Sequence, residues 1–535
     1  MNKLKFFLKS QAAVWGLVVV VLAAGYYLRA YFYLNYHYDF SPYDALLARH
    51  GINIFNVNFE YDMYTFKSFS YPLSYFLKYS LGVLNNIYLV YLIGAIVIFR
   101  FGKLFGGNFL GGVLAVLFFA VAPENLLQYT KDITPAGVNY VLMWSSLFFF
   151  FKYLKQGKDA NLFWFSLTAM FAFVSYHTGA AALAVILLAL LLTILLTEEK
   201  ADSKLVAVIL SLLAFYVFWL LFFDLDQITL IRGALFRGKV FLVLMLLLGV
   251  ASIISVLKKI FNFSKYHWLA SPWFIVLSLS LGMLLIFMPA PIFNKLLFLG
   301  VVNYSSSALT LNNYLAQALI GHVYLLTLPI WWSKFDRAQR ILLTGWLSGL
   351  AIILTGLILE DYYARIFDYS FPLLFLLFGY FWSQQPKLRR AVVALTIILL
   401  FISEIFIFND PFSLRRYYTP EEVRAAQKAI DHGINYRTVS DLRTSALFQY
   451  LGETKVEFLE DYYHNIIFYD YDEIKPGIKQ RQEENIYLVV SDAMRNIVYG
   501  VNFQTTPLTD DFYQYFEQNF GLYFDAGEFK IYQLK

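Results

Sequence analysis

The chain has 535 residues, 59% of them hydrophobic and only 15% charged, with a mean hydropathy of +0.57. A water-soluble domain cannot hide that much apolar surface, so lipid is the expected solvent for most of it. Cysteine is absent, which excludes disulfides, thiolate metal sites and cysteine nucleophiles. The net charge of +5 is spread over short loops as a topology signal, and no nucleic-acid partner is expected.

The opening "MNKLKFFLKSQAAVWGLVVVVLAAGYYL" couples a basic start to a long apolar run without a small-residue cleavage site, and it reads as a retained first helix. A bilayer core takes about 20 apolar residues per helix. Such runs fall at 12–34, 84–102, 106–122, 136–153, 161–176, 179–196, 204–223, 239–257, 272–290, 313–332, 341–359, 371–384 and 390–408. The fifth and sixth come from dividing one run at "SYHTG". Every second connection carries the basic residues, among them Lys103, Lys155, Lys158, Lys204, Lys334, Arg337 and Arg340. The positive-inside rule places those loops and the N-terminus in the cytoplasm.

The remaining connections are richer in aspartate and aromatics. The first, 35–83, holds "YHYDFSPYDALLARHG" with Asp39 and Asp44. A carboxylate there has three readings: general base on an acceptor hydroxyl, ligand of a divalent cation, or solvated loop residue. The loop is longer than structureless connections usually are, and its "FKSFSYPLSYFLKYSLG" suits the headgroup plane. Asp39 sits one short step after the first helix, whereas Glu60 and Asp62 lie farther along.

Asp132, in "QYTKDITPAGVNY", precedes a helix with Thr134 as cap and Pro135 at its first position; it either complements the helix dipole or joins Asp39 at a shared site. His177, in "SYHTGAAALAV", is an accessory group or a satisfied turn histidine. Arg232 and Arg237, in "DLDQITLIRGALFRG", and Arg365, in "EDYYARIFDYSF", face the same side. A guanidinium beside apolar helices wants an anion, and a phosphate fits it bidentately.

The tail after 408 is charged and has no spanning run. It opens on "TPEEVRAAQKAIDHG": threonine as N-cap, proline at the first helical position, two glutamates in the first turn and a closing glycine. "YRTVSDLRTSALFQYLG" reads as strand, loop and helix, "NIYLVVSDAMRN" as a second buried strand ending in Ser-Asp, and "GLYFDAGEFKIYQLK" as a hairpin. The fold expected is a membrane all-α polytopic bundle of about thirteen transmembrane helices over 1–408. A small extracytoplasmic α/β domain follows over 409–535.

This arrangement resembles the GT-C superfamily of polytopic membrane glycosyltransferases, which use polyprenyl-phosphate-linked sugars. That superfamily includes oligosaccharyltransferase catalytic subunits, protein O-mannosyltransferases and aminoarabinose transferases. The likeness rests on "YDFSPYDALLARHG", "SYPLSYFL", "YTKDITP", "SYHTGAAAL" and "YYARIFDYSFPLLF". It implies Asp39, with Asp44 as rival, as catalytic acid or base. It implies Asp132 as a second acidic ligand, with a divalent cation such as Mg or Mn between Asp39 and Asp132, and Arg365 on the lipid phosphate. The tail has no tryptophan and so lacks the Trp-Trp-Asp motif of oligosaccharyltransferases. A sugar or lipid acceptor therefore fits better than a sequon peptide, although a protein acceptor stays open. The reading from another class is a transporter or flippase of lipid-linked saccharides; a scaffold displaying the tail is a third.

Overall fold

A computed structural model describes residues 15–16, 18–20, 22–27, 38–39, 83–121, 135–175, 177–197, 201–223, 328, 332–354, 366–384, 417–434, 438–453, 456–458, 486–495, 508 and 510–534. The chain divides into two compact units. The first is Met1–Ala30, Phe59–Met283 and Ala316–Ile402; the second is Tyr31–Asn58, Leu284–Leu315 and Ser403–Lys535.

The described part of the first unit is helical. It contains α1 (Val83–Gly106), α2 (Phe109–Ala120), α3 (Pro135–Gln156), α4 (Asp159–Ser175), α5 (His177–Thr197), α6 (Ser203–Phe223), α7 (Arg337–Leu354) and α8 (Ile366–Gln384). Asn108 caps α2, its side-chain oxygen accepting from Gly111 N at 2.8 Å. Helix α5 is apolar along its length, and 72% of its span is buried, whereas α6 is only 28% buried. Helix α5 is thus central and α6 peripheral. Helix α7 reaches α5 through a small-residue pair one turn apart. A Cβ on Gly345 would lie 2.8 Å from Leu190 Cα, and one on Gly349 would lie 2.9 Å from Ile186 Cα. Close backbone approach of this kind drives helix association where the hydrophobic effect between helices is weak.

The expectation of about thirteen spans is not supported. Among the described residues, three helices are long and apolar enough to cross a membrane: Leu89–Gly106, Gly179–Thr197 and Ser203–Leu220. Shorter apolar helices are Val18–Tyr27, Phe109–Ala120 and Tyr369–Phe381. At 12 residues, α2 spans about 18 Å at 1.5 Å per residue, against a core of about 30 Å. Helix α3 is long enough, but Asn139, Tyr140, Trp144 and its lysines dilute its apolar character. Counting apolar runs took each run for one long apolar helix, whereas α2 is short and α3 is diluted by polar residues. The runs at 239–257, 272–290 and 390–408, and that at 313–332 but for residues 328 and 332, lie outside the described residues.

In the second unit a five-stranded sheet runs β4 (Val456–Phe458), β3 (Thr438–Ser440), β5 (Ile486–Ser491), β7 (Phe529–Leu534), β6 (Gly521–Asp525). Strands β3, β4 and β5 are parallel; β7 is antiparallel to both β5 and β6. Helix α9 (Pro420–His432) and helix α10 (Leu442–Tyr450) share one core with Phe529 and Ile531 of β7. Tyr532, the next residue, instead meets Phe516 of α11 (Asp510–Asn519) at 5.5 Å. Side chains alternate along a strand, so α11 covers the opposite face. A separate two-stranded ladder joins β1 (Tyr38–Asp39) to β2 (Tyr417–Tyr418).

Candidate functional site

Asp39 is the one expected catalytic acid whose backbone the structure describes. It lies in β1, antiparallel to β2, with Tyr38 opposite Tyr418 and Asp39 opposite Tyr417. Its backbone is therefore registered on the first described strand of the tail.

The strand that receives it is held from two directions. The Tyr418 ring is 1% exposed; its hydroxyl donates to Arg443 O at 2.7 Å, and the Arg443 guanidinium lies 4.4 Å from the ring centroid. Arg443 in turn forks onto Glu422, Nη1 to Oε1 at 2.7 Å and Nη2 to Oε2 at 2.9 Å, with both side chains 5% exposed. Burial by itself opposes the arginine cation, but the Glu422 carboxylate beside it holds its pKa above the ordinary value. Glu422 also closes the capping box of α9: Thr419 N donates to its carboxylate at 2.8 Å, and its own N donates to Thr419 Oγ1 at 3.1 Å. Thr419 directly follows β2. The side chain of one β2 residue and the backbone just after it are thus fixed by the same ion pair.

Asp441 and Asp492 follow the parallel strands β3 and β5. Asp441 is spent as a cap: it is 1% exposed and accepts from Thr444 N at 2.7 Å. Asp492 is half exposed, 3.7 Å from Arg495 Nε. The Arg495 guanidinium lies 3.8 Å from the Tyr513 ring centroid and pairs with Asp510. Burial pushes the Tyr513 phenol well above its ordinary value, Arg495 opposing, and the hydroxyl donates to Ser491 O at 2.9 Å. These contacts tie the end of β5 to α11.

His177 is the first residue of α5. The last turn of α4 before it is clamped by Asn139 of α3, which the sequence did not single out. Asn139 is fully buried, and its Nδ2 donates to Ala172 O at 2.6 Å and to Ser175 Oγ at 2.8 Å. Its Oδ1 has no hydrogen-bond partner among the described residues, and it occupies the place where a Cβ on Gly179 would stand. An asparagine inside the apolar run "VNYVLMW" was the available signal.

Several basic loops meet at one end of the first unit. Lys155 at the end of α3 pairs with Asp336 before α7, Tyr153 donates to Asp202 before α6 at 2.6 Å, and Lys204 pairs with Asp159 of α4 at 3.1 Å. Gln339 Nε2 donates to Phe105 O, near the end of α1, at 2.5 Å.

Asp44, Asp132, Arg232, Arg237 and Arg365 lie outside the described residues. Among the described residues no group of three or more histidine, aspartate or glutamate side chains could hold a metal ion. No family model matches the chain, and no curated protein matches it.

Proposed function

We propose that this protein is an integral-membrane glycosyltransferase. It takes a sugar from a polyprenyl-phosphate-linked donor and places it on a saccharide, lipid or protein acceptor at the outer face of the membrane. The observation that carries the reading is the register of Asp39 against Tyr417, which brings an acidic residue of the first loop to a polar α/β unit in a chain otherwise built for lipid. The three helices fit to cross a membrane among the described residues supply the apolar setting that a polyprenyl donor needs.

The Asp39 carboxylate takes the proton of an acceptor hydroxyl as its oxygen forms a bond to C1 of the donor sugar. The bond from C1 to the phosphate oxygen breaks, and the phosphate leaves with the electron pair. Displacement at C1 in one step inverts the anomeric configuration. Arg365, with Arg232 and Arg237, is assigned to the departing phosphate, where bidentate guanidinium contacts stabilise the charge that develops.

Purified protein incubated with labelled polyprenyl-phosphate sugar and candidate acceptors tests the reading. Asp39→Asn keeps size but removes the base, and transfer is expected to fall by on the order of 10²–10⁴-fold with donor binding retained. Asp44→Asn should matter less, and Arg365→Lys should mainly raise the KM for donor. Wild-type transfer by Asp39→Asn beside an inert Asp44→Asn would move the base to Asp44; full activity in both would end the catalytic role of this loop. Donor crossing vesicles with no glycosidic bond made would identify a flippase.

A further inference from the structure

We infer that Tyr418, Arg443 and Glu422 form a positioning device for the catalytic carboxylate, setting where Asp39 stands through the backbone ladder of β1 and β2. This rests on the glycosyltransferase reading given above. A ladder of two residues on each side is too short to hold itself, since even a full hairpin is marginal in water. One of its strands must therefore be rigid for other reasons, and β2 is. The Tyr418 ring is packed under one guanidinium, its hydroxyl is bonded to the carbonyl of the same arginine, and that arginine is forked onto a buried glutamate. The glutamate then holds Thr419 N, the next backbone group along. A buried ion pair is a poor way to gain stability, because hydrophobic residues of similar volume commonly do as well, whereas its directional bonds do specify one arrangement. Here the arrangement specified is the height and twist of β2, on which Asp39 is registered.

Because the chain has no cysteine, introduced thiols report without background. Residues facing each other across an antiparallel ladder stand about 4.5–5.5 Å apart at Cα, inside the roughly 4.4–6.8 Å that a disulfide spans. In Asp39→Cys/Tyr417→Cys, oxidation should remove both thiols together, and adding Glu422→Gln should lower the yield several-fold. Thiols that stay free in the otherwise native background would show that the ladder does not form, and the proposal fails. This arm needs no activity.

The second arm reads transfer. Tyr418→Phe, which loses only the hydroxyl bond, and Glu422→Gln should lower kcat with the KM for donor unchanged, approaching the ~10²-fold that a misplacement of about 1 Å brings. The third arm replaces the anchor by a covalent one. In Tyr38→Cys/Tyr418→Cys, transfer should be low in the reduced protein and recover on oxidation of the same sample, a response that loss of global stability alone would not give. A rate indifferent to reduction overturns the positioning role. A wild-type chain that makes no glycosidic bond overturns the functional reading itself, whereas a competent wild type matched by Tyr418→Phe and Glu422→Gln overturns only the anchor.

Discussion

Glu528, the residue before β7, is half-buried and faces other acids. Burial, and after it the carboxylates of Asp492, Glu422 and Glu421, push its pKa above the ordinary 4.5. The folded state therefore holds this proton more tightly than the unfolded chain does. Its contribution to stability is complete below the ordinary value and is lost as pH rises through the folded one. At neutral pH the ionised side chain is a liability. Glu528→Gln should raise the Tm of the second unit near pH 7, by less than the roughly 2–4 °C that about 1 kcal/mol moves a domain of this size. The gain should vanish in acid, where wild type is itself protonated. Thermal scans at both pH values decide it, and a neutral-pH Tm that is unchanged or lower would mean that solvent screens the cluster. Glu422, in the same acidic neighbourhood, has Arg443 facing it. The sequence marked Glu422 as a first-turn glutamate; its buried partner lies 21 residues on, beyond any local pattern.

At the level of elements, signals written within a few residues were readable. The cap, proline and glycine around α9 are where "TPEEVRAAQKAIDHG" puts them, the break between α4 and α5 falls at "SYHTG", and the terminal hairpin turns at Asp-Ala-Gly-Glu. Pairings between distant segments were not readable. A two-residue strand has no periodicity to detect, so nothing in "HYDFSP" announces Tyr417 as the partner of Asp39. The clamp on the His177 turn is of the same kind, since it joins α3 to residues more than 30 positions away. Gly179→Ala would drive a methyl into the Asn139 amide, and such overpacking typically costs about 1–3 kcal/mol. If the amide is the obstacle, the same change should cost clearly less on an Asn139→Ala background. A double-mutant cycle of thermal stability in detergent measures that coupling. Additive effects would mean that Gly179 is there for another reason.

For the whole molecule, counting apolar runs overstated the number of spans because an apolar run does not fix the length of the helix it folds into, as the 12 residues of α2 show. Charge supplies what hydropathy lacks. Helix α1 ends beside Gln339 of α7, and α5 leads into Asp202, which accepts from Tyr153 near the end of α3. The three such helices among the described residues thus share one edge, which also carries the Lys155–Asp336 and Lys204–Asp159 ion pairs. Lysine and arginine accumulate on cytoplasmic loops, so this edge is predicted to face inside, and the proposed chemistry requires the second unit outside. Single cysteines in this cysteine-free chain separate the two faces. Lys158→Cys, exposed at the basic edge, should resist a membrane-impermeant maleimide in intact cells and react once they are permeabilised. Lys428→Cys, exposed on α9, should react in both. Labelling of position 158 but not 428 in intact cells would reverse the orientation, and labelling of both or neither would put the basic edge and the Asp39 unit on one face. Reversal, or labelling of neither position, removes the outer-face reaction, because position 428 and with it the proposed base would lie inside; labelling of both overturns only the cytoplasmic placement of the basic edge.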